Sequence, residues 1–163
     1  MFAFHAFAEY ITGVEMKLLI INGPNIQLLG RRDPGTYGST TLPQLEQRLA
    51  EVAKELGVEC SFFQSNHEGS ICDRIAEAAV DGTDGIVINP AAYTHTSVAI
   101  RDAIDGVGLP AVEVHISNIH KREEFRHKSL TAPVCIGQIA GLGTMGYELA
   151  MRALVERVRN SNL

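Results

Sequence analysis

Short apolar runs alternate with longer segments of helical periodicity along this chain, and that alternation is the strongest constraint on its fold. The first run, Lys17–Asn22, is apolar almost throughout, as in a strand buried on both faces of a sheet. Four further strands are predicted at residues 58–64, 85–89, 110–115 and 134–139. The pattern predicts an α/β fold with a five-stranded parallel sheet, right-handed crossovers and helices on both faces.

Helices are expected in the segments between these strands. In the first, Leu42, Leu45 and Leu49 recur at helical spacing, a preceding threonine provides a cap, and Gly57 ends the helix. The later helices are expected to end near residue 80, to run through residues 98–104, and to cover residues 147–158.

Composition excludes several classes of partner. A net charge of −5 provides no basic surface for nucleic acid, and no apolar run has the length of a membrane span.

The three cysteines, Cys60, Cys72 and Cys135, are an odd number without CxxC spacing. This usage predicts reduced thiols in a cytoplasmic protein.

The domain organisation is expected to be simple: an N-terminal arm at residues 1–15 and a single domain at residues 16–163. The arm lacks the basic start and long apolar centre of a signal peptide. It is interpreted as a disordered arm or an artefact of the start or of a tag, because Met16 directly precedes the first strand. The alternative is that its aromatic residues pack on a neighbouring subunit.

Polar residues cluster where the predicted strands end. In open parallel sheets, ligands bind beyond the carboxyl ends of the strands, where the strand order reverses. The polar residues at these ends are Asn22, Asn25, Asn66, Glu68, Asn89, Glu113, His115 and Ser117. This coincidence predicts a functional pocket.

Glu113 and His115 lie two residues apart on a predicted strand and should therefore share a face. A carboxylate that holds an imidazole in one tautomer makes a general acid or base suited to neutral pH. The alternative is a buried ion pair with only a structural role.

The loop after the first strand, residues 30–38, holds two adjacent arginines and a tyrosine among glycine and proline. A phenol titrates near ~10, and a guanidinium beside it can lower that value by roughly one to three units, which would make the phenolate of Tyr37 a usable base beside Arg32. The alternative is a solvated basic pair and a packing tyrosine.

Several further side chains are candidates for binding. Asn25, Asn89 and Ser117 can hydrogen-bond hydroxyls or a carboxylate, or hold a water at a developing oxyanion, although turn formation and strand-end capping also explain the asparagines. Arg122 and Arg126 are spaced to clamp a carboxylate from one helical face, or to form a solvated charge run with Glu123 and its neighbour.

Two motifs are weaker indications. The spacing of four histidines fits no compact metal site, so no metal is expected; they are His95, His115, His120 and His127. The AGLGTMG turn before the last helix is better explained by tight helix–strand packing than by phosphate binding, because it follows the last strand and has no P-loop lysine.

Four motifs together resemble the type II 3-dehydroquinate dehydratases. They are NGPNIQLLGRRDPGTYG, FFQSNHEG, INPAAYTHTSVAIRDAI and VEVHISNIHKREEFRHKS, within a resemblance that runs from about residue 16 to residue 158. It implies a flavodoxin-like fold and an enzyme that dehydrates 3-dehydroquinate to 3-dehydroshikimate. The elimination is anti, proceeds through an enolate, and uses no cofactor and no metal.

The resemblance also implies individual roles. Tyr37 matches the base that removes the C2 proton, and Arg32 matches the arginine that tunes it. Asn25 matches the residue that positions a water at the enolate oxygen. His115 matches the acid that protonates the departing C1 hydroxyl, with Glu113 orienting it. Substrate-binding positions are matched by Asn89, His95, Ile116, Ser117 and Arg126, and by Asp102 from a neighbouring subunit.

The implied assembly is a homododecamer, a tetramer of trimers. The implied reaction serves either aromatic amino acid biosynthesis through the shikimate pathway or quinate catabolism. The chain departs from the family at Gln27, where asparagine is common, and at Ala91, where glycine is frequent.

Two other classes of function stay open from the residues alone. One is a flavodoxin-like module that binds FMN or a phosphoryl group, which would require a Ser/Thr-rich phosphate loop or paired aspartates after the first strand. The other is a hydrolase that uses Ser117 or Ser97, for which no G-x-S-x-G elbow is present.

Overall fold

The computed structural model describes residues 16–31 and 39–161 of the 163-residue chain. Five strands form its sheet: β1 (Lys17–Asn22), β2 (Glu59–Gln64), β3 (Gly85–Asn89), β4 (Ala111–His115) and β5 (Gly137–Ala140). Its four α-helices are α1 (Leu42–Leu56), α2 (Glu68–Ala78), α3 (Val98–Val107) and α4 (Met145–Ser161). The predicted arm at residues 1–15 lies outside the described residues.

All neighbouring strands pair in parallel, in the order β2-β1-β3-β4-β5. This is the flavodoxin-like order, in which the direction of winding reverses between β1 and β3. The prediction of an α/β fold with a five-stranded parallel sheet is therefore confirmed.

Each face of the sheet carries two helices and its own apolar core. Helices α1 and α4 pack on one face, where Leu49, Tyr147 and Met151 are fully buried. Helices α2 and α3 cover the other face, which buries Ile75 and Ile104. The near-continuous apolar sequences of β1 and β3 follow directly from burial on both faces.

Helix α1 begins and ends where the sequence predicts. The Thr41 hydroxyl accepts a hydrogen bond from the Gln44 backbone N–H, and the Gln44 side-chain oxygen accepts one from the Thr41 backbone N–H. Gly57 ends the helix at φ 66°. Helix α4 begins two residues earlier than the predicted 147 and runs three residues beyond 158, to Ser161.

The predicted fifth strand at residues 134–139 was misplaced. Residues Ala132–Val134 form a 3₁₀ turn with Pro133 in its first turn, and the Cys135 N–H bonds back to the Ala132 carbonyl. A proline in a turn cannot donate to a sheet ladder, so pairing starts only at Ile136, whose N–H donates to the Ala111 carbonyl at 2.8 Å. None of the helices within residues 16–31 and 39–161 is long and apolar enough to cross a membrane.

Candidate active site

A pocket opens at the carboxyl edge of the sheet, beside the ends of β1, β3 and β4. Its walls come from the turn after β1, the 3₁₀ turn after β3, and the connection that follows β4. The pocket is lined by Pro24, Asn25, Ile26, Leu28, Leu29, Asn89, Ala91, Ala92, His95, His115, Ile116, Ser117, Ile119, Arg122 and Arg126. Seven of the predicted site residues are among them.

Tight backbone crossing brings the ends of β1 and β3 together below the pocket. The Gly23 N–H donates to the Asn89 carbonyl at 2.7 Å. A β-carbon on Gly23 would lie 2.4 Å from the Pro90 carbonyl oxygen, so only glycine fits this crossing. The glycine therefore sets how closely the two walls approach.

The predicted Glu113–His115 pair is present at the end of β4. His115 Nε2 lies 2.6 Å from Glu113 Oε1, and both side chains are almost entirely buried. His115 lines the pocket, whereas Glu113 lies behind it. The pair can therefore exchange a proton with a bound molecule only through the imidazole.

The buried Glu113 carboxylate is surrounded by hydrogen-bond donors. Besides His115, it accepts from Ser129 Oγ at 3.0 Å to each oxygen, from Gln138 Nε2 at 2.7 Å, and from the Thr131 hydroxyl. Burial raises the pKa of Glu113, but the bonds from His115, Thr131 and Gln138 outweigh it, and the net pKa is below the ordinary value. Glu113 is therefore an ionised carboxylate.

A second buried network fixes Asn89 at the end of β3. The Tyr147 hydroxyl donates to Asn22 Oδ1 at 2.7 Å and accepts from Asn89 Nδ2 at 2.8 Å, while Asn89 Oδ1 accepts the Ala91 N–H at 3.1 Å. Burial raises the pKa of Tyr147 above its usual range, so the phenol is neutral. The network holds the Asn89 amide in one orientation at the pocket wall.

Two pocket residues have left-handed backbone conformations. Asn25, at φ 68°, precedes a 3₁₀ turn, and its N–H donates to Asn66 Oδ1 at 3.0 Å. Ala91 has φ 53°, a region that favours glycine. This explains physically why the family resemblance places glycine at that position.

The glycine-rich AGLGTMG turn supports the end of β4 by close packing. The N–H groups of Gly141 and Gly143 donate to the carbonyls of His115 and Ile116 at 3.1 and 3.0 Å. A β-carbon on Gly146 would lie 3.3 Å from side-chain atoms of Val114 and Ile139. The turn is thus explained by packing, as predicted.

His95 and Ser117 both contribute polar groups to the pocket lining. His95 Nδ1 lies 2.8 Å from the Lys128 carbonyl oxygen, which can only accept, so this nitrogen carries a hydrogen. In the neutral ring the other nitrogen, Nε2, is then an acceptor. Ser117 follows the Glu113–His115 strand and lines the pocket with the neighbouring Ile116.

Arg122 and Arg126 also line the pocket, but not from one helical face. The connection forms two separate 3₁₀ turns, Ile119–Lys121 and Glu124–Arg126. Glu123 Oε2 lies 2.9 Å from Arg126 Nε and 3.6 Å from Arg122 Nε. Both partly buried arginines are therefore ion-paired with the exposed Glu123 side chain at the pocket wall.

Two predicted catalytic residues, Arg32 and Tyr37, lie outside the described residues. The described ends of their segment are close together, since a β-carbon on Gly30 would lie 2.9 Å from the Ser39 carbonyl oxygen. Leu28 and Leu29, just before Gly30, line the pocket. The described residues on either side of 32–38 therefore lie close to each other and near the pocket.

Asp102 does not join the other predicted residues. It lies on α3, its side chain is 71% exposed, and it does not line the pocket. Within the described residues, no group of three His, Cys, Asp or Glu side chains is placed to hold a metal ion.

Sequence reasoning missed four residues of the two buried networks. Ser129, Thr131 and Gln138 lie 16, 18 and 25 residues after Glu113, and no motif links them to it. Tyr147 offered one signal, because it directly follows the glycine-rich turn; its bond to the strand-end Asn22 is visible only in the structure.

Comparison with known proteins agrees with this geometry. The family described as "Dehydroquinase class II" matches residues 16–155. The 3-dehydroquinate dehydratase of Lachnoclostridium phytofermentans is 59% identical over 140 residues, which cover 86% of this chain and 97% of the relative. That of Bordetella avium is 56% identical over 139 residues, covering 85% of this chain and 96% of the relative.

Solved structures are similar over the same region. The crystal structure of type II dehydroquinase from Butyrivibrio crossotus has a TM-score of 0.86 at 52% identity, covering 87% of this chain and 99% of that chain. The enzyme from Propionibacterium acnes has a TM-score of 0.83 at 46% identity, covering 87% of this chain and 99% of that chain.

Proposed function

The chain belongs to the class II dehydroquinase family, and we propose that it dehydrates 3-dehydroquinate to 3-dehydroshikimate by anti elimination through an enolate. One observation carries this proposal: His115, paired with the buried Glu113, lines a pocket at the carboxyl edge of the sheet, where a small polar molecule would bind. The reaction belongs to the shikimate pathway and also to quinate breakdown.

His115 is the general acid. As the C1–oxygen bond breaks, a proton from the imidazolium moves to the departing hydroxyl, which leaves as water. Support comes from the burial of the pair and from the ionised state of Glu113, which stabilises the imidazolium without itself taking the proton. Glu113 acts on the reaction only through His115.

Tyr37 is the base, and Arg32 stabilises its phenolate. A hydrogen next to a ketone is weakly acidic, so its removal requires a base together with stabilisation of the enolate. Support comes from the family motif that spans both residues and from the position of Gly30 and Ser39 near the pocket. No cofactor or metal takes part in the proposal.

Asn25 positions a water at the enolate oxygen. Its left-handed conformation turns the chain at the pocket wall, and the bond from its N–H to Asn66 holds that turn. The remaining predicted residues bind the hydroxyls and the carboxylate of the substrate. They are Asn89, His95, Ile116, Ser117 and Arg126.

The chain acts as a homododecamer, a tetramer of trimers, in which Asp102 reaches the pocket of a neighbouring subunit. Support for action in trans is the high exposure of Asp102 and its absence from the pocket lining of its own chain.

Light scattering after gel filtration measures the mass of the assembly. Mixing Asp102→Asn with His115→Ala subunits should restore part of the activity, because hybrid assemblies contain intact sites; no recovery would contradict action in trans.

A direct assay tests the activity. Purified full-length protein should convert 3-dehydroquinate to an enone, followed by its ultraviolet absorbance, and borohydride should not inactivate it because no lysine Schiff base forms. Tyr37→Phe and Arg32→Ala should abolish turnover, while Arg31→Ala and Tyr10→Phe retain it. Near-normal enone formation by Tyr37→Phe or Arg32→Ala would reject the assigned role.

A further inference from the structure

We propose that Ser129, Thr131 and Gln138 are positioning residues that keep the Glu113 carboxylate ionised and thereby determine which nitrogen of His115 faces the pocket. The proposal deepens the proposed function and rests on it for the role of His115 as an acid. The hydrogen-bond arrangement itself stands on the geometry of the described residues.

The Ser129 hydroxyl can only act as a donor to Glu113. A hydroxyl has one hydrogen and two acceptor lone pairs. Ser129 Oγ accepts from the backbone N–H of Thr131 at 3.2 Å and of Ala132 at 2.8 Å. With both lone pairs occupied, its hydrogen is directed at Glu113, whose oxygens both lie 3.0 Å away.

Gln138 and Thr131 complete the enclosure from opposite sides. Gln138 Nε2 is a donor only, and it lies 2.7 Å from Oε1, the same oxygen that contacts His115. The Thr131 hydroxyl contacts Oε2. A proton on Oε1 would therefore face two donors, and neutral Glu113 would lose hydrogen bonds that it cannot replace in a buried site.

The ionised carboxylate fixes the tautomer of His115. An ionised carboxylate can only accept, so His115 Nε2 must carry the hydrogen in their 2.6 Å contact. The nitrogen left for the bound molecule is Nδ1. In the elimination, Nδ1 of the imidazolium gives its proton to the departing hydroxyl, while Nε2 keeps its hydrogen and Glu113 keeps its charge.

Few other titratable groups of residues 16–31 and 39–161 face Glu113. One is His115, on the same strand as Glu113. Another is Cys135, in the loop before β5. Burial, and to a smaller extent the Glu113 charge, raise the pKa of the Cys135 thiol to about 12, so the thiol stays neutral. From α3, Arg101 contacts the same loop, donating to the Leu130 carbonyl at 3.4 Å. On β3, the register partner is the apolar Ile88.

Two measurements on the free protein test the arrangement without turnover. Carbon-13 NMR follows the Glu113 carboxyl during a pH titration, and nitrogen-15 NMR identifies the His115 tautomer. In Thr131→Val the titration midpoint of Glu113 should rise by about one pH unit, the value of one lost hydrogen bond to a charged group. Thr131→Ser should restore it.

The chain offers a matched control in Thr94. This threonine is as fully buried as Thr131, but its hydroxyl has no hydrogen-bond partner among the described residues. Thr94→Val should leave the Glu113 midpoint unchanged. Should Thr131→Val fail to fold, Gln138→Met on the exposed edge strand provides the second variant, with the same expected rise.

The pH profile of turnover gives the functional readout. The acid limb of kcat/KM should move to higher pH in Thr131→Val and Gln138→Met and stay in place in Thr94→Val. Equal Glu113 midpoints in wild type and both variants, or a wild-type His115 with its hydrogen on Nδ1, would overturn the proposal. Wild-type protein that forms no enone would instead overturn the proposed function, while the NMR result still decides this one.

Discussion

Glu113 and Glu123 each bind a side chain that lines the pocket, but in opposite environments. Glu113 is fully buried and accepts hydrogen bonds from four side chains. The Glu123 side chain is 54% exposed and contacts the guanidinium groups of Arg122 and Arg126. Its pKa is lowered by a bond to its own backbone, with a smaller contribution from Arg126.

The difference separates two tasks. A buried and fully hydrogen-bonded charge holds its partner in one geometry, which is what a proton donor requires. An exposed ion pair is screened by water and salt and contributes little to stability, so a substrate carboxylate can displace it. The wall that holds His115 and Glu113, here called the buried wall, would therefore perform the chemistry. The wall that holds Glu123 and its two arginines, the exposed wall, would bind the substrate.

The largest effect is expected from the buried wall. His115→Ala should lower kcat by about 10²- to 10⁴-fold, the usual contribution of a general acid. Exchange of the C2 hydrogen with solvent should continue, because in the proposed mechanism the enolate forms before the hydroxyl leaves. His120→Ala, an exposed histidine outside the pocket lining, is the control. Loss of exchange in His115→Ala would contradict this order of steps.

Tyr147→Phe should lower the free energy of unfolding by about 1–3 kcal/mol, measured by urea denaturation. The substitution leaves Asn22 Oδ1 and Asn89 Nδ2 in the core without the hydroxyl that joins them. KM should also rise, because the Asn89 amide at the pocket wall loses its fixed orientation. Unchanged stability would show that the buried network does not hold the strand ends together.

The pH dependence of stability should reveal Glu113. Because its folded-state pKa lies below the ordinary value, its contribution is fully present above the unfolded pKa, about 4.3, and is lost as the pH falls through the folded value. Glu113→Gln should therefore be less stable than wild type near neutral pH, and the difference should shrink below about pH 4.3. A constant difference down to pH 3 would contradict the ionised state.

The smallest effect is expected when the exposed glutamate, Glu123, is replaced by glutamine in the same way. Glu123→Gln removes only a screened partner of Arg126, so kcat and the melting temperature should stay unchanged within error. KM should stay the same or fall slightly, since the arginine becomes free for substrate. A loss of kcat comparable to that of Glu113→Gln would remove the distinction between the two walls.

The pocket could be predicted from the sequence because parallel strands bring their carboxyl ends to one edge. Asn89, His115 and Ser117 followed from that rule alone, and alternation along a strand paired Glu113 with His115. The pairing needed no knowledge of the loops.

The enclosure of Glu113 could not be predicted in the same way. Ser129 and Thr131 reach it through an irregular connection of 3₁₀ turns, where no periodicity indicates direction. The same connection misled the prediction of β5, since Val134, Cys135 and Ile136 form an apolar run like that of a strand. Pro133 and the turn around it delay the strand until Gly137.

The stereochemistry of hydrogen loss decides whether a base and His115 act from opposite sides of the substrate, as we propose. Wild-type protein would be given 3-dehydroquinate with deuterium in one or the other C2 position, and the product analysed by mass spectrometry. Anti elimination should remove all deuterium from the position anti to the C1 hydroxyl and retain it fully at the other position. Retention of the anti label with loss of the syn label would contradict it.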